Sequence, residues 1–237
     1  MTQVIEKSQS FKMFNGIAGS YDFINGFISL GMHHRWRQRM LPLLPPRQDI
    51  QVLDLATGTG DVAITLARDD RVRRVIGIDL ADNMIRLGRQ KVKKEHLERT
   101  VCLMHGNAVT VPFASESFDV VTISFGIRNL PDVRHCLEQS LRVLKPGGKM
   151  IVLESALPAN RVLRWGALLF IRFVLPWIGR LLSGDASAYG YLNETIRSFP
   201  SGDDFTRLML DAGFSSVSYR PLGGGVVCLY QGCKGES

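Results

Sequence analysis

Five apolar, β-branched runs, at about 51–56, 75–79, 100–104, 118–124 and 149–154, recur along the chain with charge-bearing, helix-period stretches between them. Strands apolar on every residue need cover on both faces, and strands joined through helices run parallel. The pattern predicts an α/β fold: a mostly parallel, Rossmann-like sheet with helices on both faces. Further on, a helix at about 201–212, with Ser201 as N-cap and Gly213 as C-cap, leads to Ser216–Arg220 and Val226–Tyr230 across Gly223-Gly224-Gly225. That spacing predicts a C-terminal antiparallel hairpin at the sheet edge.

The 237 residues suit a single domain. Residues 1–47 read as an irregular N-terminal arm, mixing Phe11, Phe14, Tyr21, Phe23 and Phe27 with glycines and closed by Pro45-Pro46. Residues 157–200 interrupt the alternation and read as a lid over the substrate. With 45% hydrophobic and 22% charged residues the composition is ordinary globular, which excludes a disordered or disulfide-scaffold chain. Cys102, Cys136, Cys228 and Cys233 form no CxxC pair, so no zinc or other metal site is expected and a reduced, cytoplasmic compartment fits. The polar start of the chain and the lack of about twenty uninterrupted apolar residues predict no secretory signal and no membrane span.

The most informative run is Val52-Leu53-Asp54-Leu55-Ala56-Thr57-Gly58-Thr59-Gly60-Asp61. Here a strand enters a glycine turn and then a helix, and glycine lets backbone amides approach a ligand closely. Asp79 ends the next strand, where such sheets accept hydrogen bonds from a ribose diol. Gly58-x-Gly60-x-x-Ala63 by itself equally suits NAD. Asp54 and Asp61 shift the balance: carboxylates repel a pyrophosphate but attract an ammonium and a sulfonium, so S-adenosylmethionine is the expected cofactor. Gly106-Asn107-Ala108 follows the third strand, where Asn107 would meet the adenine edge and the Ala108 amide would donate; the alternative for Asn107 is a local Asx-turn.

With these residues in view the chain resembles class I S-adenosylmethionine-dependent methyltransferases. More narrowly, Tyr21-Asp22-x-Ile24-Asn25-x-x-Ile28-Ser29-x-Gly31-x-His33-x-x-Trp36 and Arg142-Val143-Leu144-Lys145-Pro146-Gly147-Gly148-x-x-x-x-Leu153-Glu154 resemble both signatures of the ubiquinone/menaquinone biosynthesis C-methyltransferase family. Thr122-Ile123-Ser124-Phe125-Gly126-Ile127-Arg128-Asn129 and Tyr189-x-Tyr191-Leu192-x-Glu194-x-Ile196-Arg197 are similar to it too. The departures are Ile24 for the usual Met, Thr57 for Gly and Ala156 for Ser.

The resemblance implies methyl transfer to a ring carbon of a polyprenylated quinol, with demethylmenaquinol chosen over the ubiquinone precursor because the chain is compact. It also implies cofactor contacts from Asp54, Gly58, Thr59, Gly60, Asp79, Asn107, Ala108 and Ser124. Arg128 and Asn129 would act on the ring, and Tyr21 and His33, from an arm lying over the site, would assist. The formal charge of +7 favours anionic partners, but the basic residues are scattered and no RNA-recognition motif is present, so no nucleic acid is expected. Within 157–182, Trp165, Leu168, Leu169, Phe170, Phe173, Leu175, Trp177 and Ile178 alternate with Arg161, Arg164, Arg172 and Arg180. This predicts a segment that touches the inner membrane surface transiently and admits an isoprenoid tail; an ordinary covering helix or a homo-oligomer contact is the alternative. An NAD-dependent oxidoreductase and a methyltransferase for another small aromatic remain the rival enzyme readings.

Overall fold

The computed structural model describes residues 6–174 and 186–236, without the side chains of Ile24 and residues 186–189. Its centre is one seven-stranded sheet of β1 (Ile50–Leu55), β2 (Val72–Asp79), β3 (Val101–His105), β4 (Phe118–Ser124), β5 (Leu144–Ser155), β6 (Ser215–Leu222) and β7 (Val227–Cys233). The spatial order is β3-β2-β1-β4-β5-β7-β6. β1 to β5 pair in parallel, and β7 lies antiparallel between β5 and the edge strand β6, as the hairpin pattern predicts.

Strand residues alternate between two cores. Leu53, Leu55, Val121, Ile123, Met150 and Val152 pack on one face with α5 (Val133–Val143) and α8 (Asp203–Asp211). Val52, Val75, Val120, Ile151 and Leu153 pack on the other with α3 (Asp61–Ala67) and α4 (Asp82–Lys94). Burial on both faces is why these strands read as continuous apolar runs rather than as alternation. The strand order reverses between β1 and β4, so a crevice opens at their carboxyl ends.

Three expectations are corrected. The described part of the arm, residues 6–47, is not irregular: α1 (Ser10–Ile28) and α2 (Met32–Gln38) form most of it. Gly16 and Gly19 carry little packing signal, and a Cβ at either would meet nothing within 4 Å. What stabilises α1 is tertiary, since Ala18 packs on Ala81 and Met84, and the Asn15 side chain accepts from Asn83 N at 2.8 Å. Ser201 is not the N-cap of α8. Gly202 takes that place with φ +63 and ψ −128, a conformation reserved for glycine, and its amide donates to Tyr230 Oη at 2.7 Å. β5 begins at Leu144, and its register against β4 shifts between Phe118 and Val120, so Pro146-Gly147-Gly148 bulges out of the strand instead of preceding it.

After β5 come α6 (Arg161–Leu169), a π-helical turn (Phe170–Val174) and, beyond the undescribed residues, α7 (Ala186–Ser198). Leu175, Trp177, Ile178 and Arg180 of the expected lid lie outside the described residues. Among the described residues no helix is long and apolar enough to cross a membrane, and no cluster of metal-ligating side chains occurs.

Candidate active site

The crevice holds three connected spaces. A cleft of 90 Å³ runs along the ends of β1, β2 and β4 and is lined by Gly58, Asp79, Asn107, Ala108, Ser124 and Asn129, among others. A narrower lobe of 30 Å³ is lined by Asp54, Thr57, Gly58, Thr59, Asp61 and Arg37. A third cavity, 550 Å³ and mostly apolar, lies between the arm, α6 and α7. Tyr21 borders all three, and Phe125 and Asn129 border both the cleft and the large cavity.

Asp79 sits at the end of β2 with its carboxylate already oriented. Oδ2 accepts from Gly58 N at 2.9 Å and Oδ1 from Ala81 N at 2.8 Å, leaving each oxygen a further lone pair. Burial raises its pKa despite those amides. Ser124, at the end of β4, lines both the cleft and the lobe, and its Oγ is buried with no partner. Asn107 makes the Asx-turn of the alternative reading, accepting from Val109 N at 2.9 Å, yet its residue still lines the cleft beside Ala108.

Gly60 does not line any of these spaces. It N-caps α3 with φ +79, and a Cβ there would come 2.9 Å from Leu103 Cδ1, so it is needed for packing. Gly88 serves the same approach from α4, where a Cβ would meet the Thr59 carbonyl at 3.1 Å.

Asp54 is buried within β1 and accepts from Thr57 Oγ1 and Thr122 Oγ1, both at 2.6 Å. Burial pushes its carboxyl up to about 6; the two hydroxyls and the Arg37 charge hold it from rising further. Asp61 is different. Burial raises it, but Arg37 at 2.8 Å and Lys91 at 2.6 Å together bring it below its ordinary value. Lys91 also reaches Asp22 at 2.6 Å, and Thr59 Oγ1 donates to Asp22 at 2.7 Å while accepting from Lys91 at 2.8 Å. This ionic network ties α1 and α2 to the glycine turn and uses the Thr59 hydroxyl.

Arg128 lies in the 3-10 turn Ile127–Asn129 after β4. Its Nη1 donates to Phe125 O at 2.8 Å and pairs with Glu154, which is wholly buried in β5. Arg128 is thus held in a buried ion pair, its residue lines the large cavity, and its Nε is buried without a partner. Asn129, Arg37 and Tyr191 line the same cavity, and Asn129 Oδ1 and Arg37 Nε are likewise buried without partners. His33 lines this cavity too, with Nδ1 2.6 Å from Ser29 Oγ.

Sequence reasoning did not select Glu154, Arg37, Lys91 or Tyr191 as site residues. Arg37 carried a signal, because four residues after His33 it shares that residue's helix face. Lys91 carried none; it reaches the site only because α4 packs beside the glycine turn.

A family model described as the ubiE/COQ5 methyltransferase family matches residues 1–234. The chain belongs to that family. This methyltransferase is 40% identical over 234 residues to a protein of Porphyromonas gingivalis named demethylmenaquinone methyltransferase, covering 98% of this chain and 96% of that one. A Roseobacter denitrificans protein named ubiquinone/menaquinone biosynthesis C-methyltransferase UbiE is 36% identical over 222 residues, which are 94% of this chain and 89% of that one. Among solved structures, a SAM-dependent methyltransferase of Thermotoga maritima, titled a possible histamine N-methyltransferase, matches with a TM-score of 0.64 at 20% identity. It covers 94% of this chain and 99% of that one, which shows the shared class I methyltransferase fold. The methyltransferase carries Thr57 in the glycine turn, where its hydroxyl donates to the buried Asp54. Its Ala156 is buried on the cavity wall, and the amide donates to Val226 O at 2.9 Å.

Proposed function

We propose that this methyltransferase moves the methyl group of S-adenosylmethionine to a ring carbon of demethylmenaquinol. The carrying observation is the large apolar cavity, whose lining sets the polar residues Arg128, Asn129, Arg37 and Tyr191 among Met13, Ile17, Ile171 and Leu192. A mostly apolar cavity with a few polar residues at one place suits a molecule with a small polar ring and a long apolar tail. Shared walls at Tyr21, Phe125 and Asn129 put that ring next to the cofactor cleft. The names of the relatives support the same substrate class.

The residues fit the cofactor. Asp79 would take the ribose hydroxyls, Asn107 and the Ala108 amide the adenine edge, the partnerless Ser124 hydroxyl a further polar group, and the lobe at Asp54, Gly58 and Thr59 the methionine end. Bound S-adenosylmethionine supplies an electrophilic methyl group. Around the ring, Arg128 and Asn129 stabilise the oxygen after it has given up its proton, first as the polarised carbonyl of the methylated ring and then as the oxyanion left when the ring C–H proton departs, and Tyr21 closes the boundary between the two spaces. The test is incubation of the purified protein with labelled S-adenosylmethionine and short-tailed demethylmenaquinol or the ubiquinone-pathway benzoquinol. Ring methylation of demethylmenaquinol is expected; methylation of the benzoquinol alone would overturn the choice of demethylmenaquinol.

Asp54 makes cofactor binding depend on pH. Its pKa of about 6 lies above the unfolded value, so the proton is held in the folded state and the carboxylate that attracts a cation is lost as pH falls through 6. S-adenosylmethionine affinity is expected to weaken between pH 7 and pH 5, with proton release on binding near pH 6. Calorimetry in buffers of different ionisation enthalpy checks both, and Asp54→Asn should flatten the profile.

Met32, Val162, Leu163 and Phe170 line the large cavity and are also exposed, so they mark its mouth. Trp165 and Phe173 are exposed beside them, 67% and 62%, and Phe23, Phe27 and Leu30 are exposed on the arm. Residues 23–48 and 155–184 contain no Asp or Glu. The exposed Arg161, Arg164 and Arg172 have no acidic partner among the described residues. Apolar surface with arginines and no carboxylates complements an anionic bilayer surface, from which a tail would enter directly. Co-sedimentation with anionic vesicles is expected, weakening with salt and in Arg164→Glu/Arg172→Glu. Concentration-dependent dimerisation without vesicle binding would instead assign this face to a second copy.

A further inference from the structure

Resting on the quinol-methylation reading above, we infer that His33 is the proton acceptor for the quinol hydroxyl, through Nε2, and that Ser29 is the positioning residue that keeps Nε2 free of a proton. Ser29 ends α1, Gly31 turns the chain with φ +73, and His33 falls in the first turn of α2, which brings the two side chains together. Ser29 Oγ lies 2.6 Å from Asn25 O. A carbonyl oxygen only accepts, so the single hydroxyl proton of Ser29 is directed there. At 2.6 Å from His33 Nδ1 the same oxygen can then only accept, as it also does from His33 N at 3.4 Å. The ring therefore carries its proton on Nδ1, and the lone pair is on Nε2.

His33 is buried on the wall of the large cavity, together with Tyr21, Asn25 and Arg37. The charged and titratable groups around it are Arg37 and His34 on α2, with the His34 ring centroid 3.9 Å away, Asp61 on α3 and Asp22 on α1. Burial first, then Arg37 and His34, lower its pKa to about 4 against the weaker pull of Asp61 and Asp22. The imidazole is thus neutral and able to accept throughout the range from pH 5 to 8.

A base this weak cannot ionise a resting quinol hydroxyl, whose phenol-like pKa is about 10. It does not need to. As the ring carbon's π-electron pair forms the new bond to the methyl carbon, the pair of the breaking sulfur–methyl bond stays on sulfur and the ring becomes cationic. The hydroxyl of that cation is a far stronger acid than imidazolium, so its proton passes to Nε2 and leaves a neutral dienone. Loss of the ring C–H proton to water then restores aromaticity, and imidazolium returns its proton to the oxygen. One proton is released in total.

The experiment compares wild type, His33→Gln and Ser29→Ala at saturating cofactor with short-tailed demethylmenaquinol, alongside ¹⁵N-imidazole NMR and S-adenosylmethionine calorimetry. His33→Gln is expected to bind the cofactor as wild type does and to lose about 100-fold or more in kcat, the usual scale of general-base catalysis. Ser29→Ala is expected to show mixed tautomers and a smaller kcat loss, while the wild type shows Nδ1–H alone and a kcat flat from pH 5 to 8. Undiminished kcat in His33→Gln, or an Nε2–H tautomer in the wild type, overturns the role of His33. No quinol methylation by a wild type that binds S-adenosylmethionine overturns the substrate reading itself, and the role with it.

Discussion

Arg128→Ala is expected to lose turnover and, in addition, to destabilise the protein by about 3–5 kcal/mol, the usual cost of stranding one member of a buried ion pair. Its partner Glu154 is wholly buried, and among the described residues the only other donors on its oxygens are the backbone amides of Ser155 at 2.7 Å and of Arg128 at 3.4 Å. Removing the guanidinium also frees Phe125 O from a 2.8 Å hydrogen bond and loosens the turn that carries Asn129. Urea denaturation measures the stability loss, and single-turnover assays on the fraction that stays folded measure the chemical one. Arg128→Leu/Glu154→Leu separates the two roles, since an apolar pair of similar bulk recovers stability but offers no charge to the ring oxygen. A double variant that recovers stability and turnover together would remove Arg128 from the chemistry.

Asp79→Ala is expected to weaken S-adenosylmethionine binding by roughly 1.5–3 kcal/mol, about tenfold or more, because hydrogen bonds to a charged acceptor are worth that much. The structure adds a second consequence. Gly58 N and Ala81 N lose their acceptor as well, so the glycine turn itself becomes less ordered in the variant. Asp79→Asn keeps one carbonyl oxygen and should fall between wild type and Asp79→Ala. Calorimetry reads the dissociation constants, and an unchanged value in Asp79→Ala would remove Asp79 from the cofactor site.

The comparison of Asp54 with Asp61 shows how far local reasoning reaches. Both read alike in the sequence, as carboxylates placed to attract a cation. In the fold Asp61 is held by Arg37 from α2 and Lys91 from α4 and is kept ionised, whereas Asp54 faces two hydroxyls and gains a proton near pH 6. Their difference depends on partners 24 and 30 residues from Asp61 and 68 residues from Asp54, which no motif around the glycine turn names.

What the sequence alone determined is everything carried by short-range pattern. Strand runs, the glycine turn, Asp79 at the end of β2 and the hairpin around Gly223–Gly225 follow from periodicity and backbone chemistry within a few residues. Signature segments extended that reading to the family. Tertiary structure decided what depends on distant partners. The arm is helical because Ala18 finds Ala81 and Met84, and Arg128 is anchored because β5 brings Glu154 beneath it. Ser29 and His33 are only four residues apart, yet their pairing required the left-handed turn at Gly31 and burial against the cavity wall. Side-chain protonation and cavity shape are sums over groups far apart in the chain, and only folding brings those groups together.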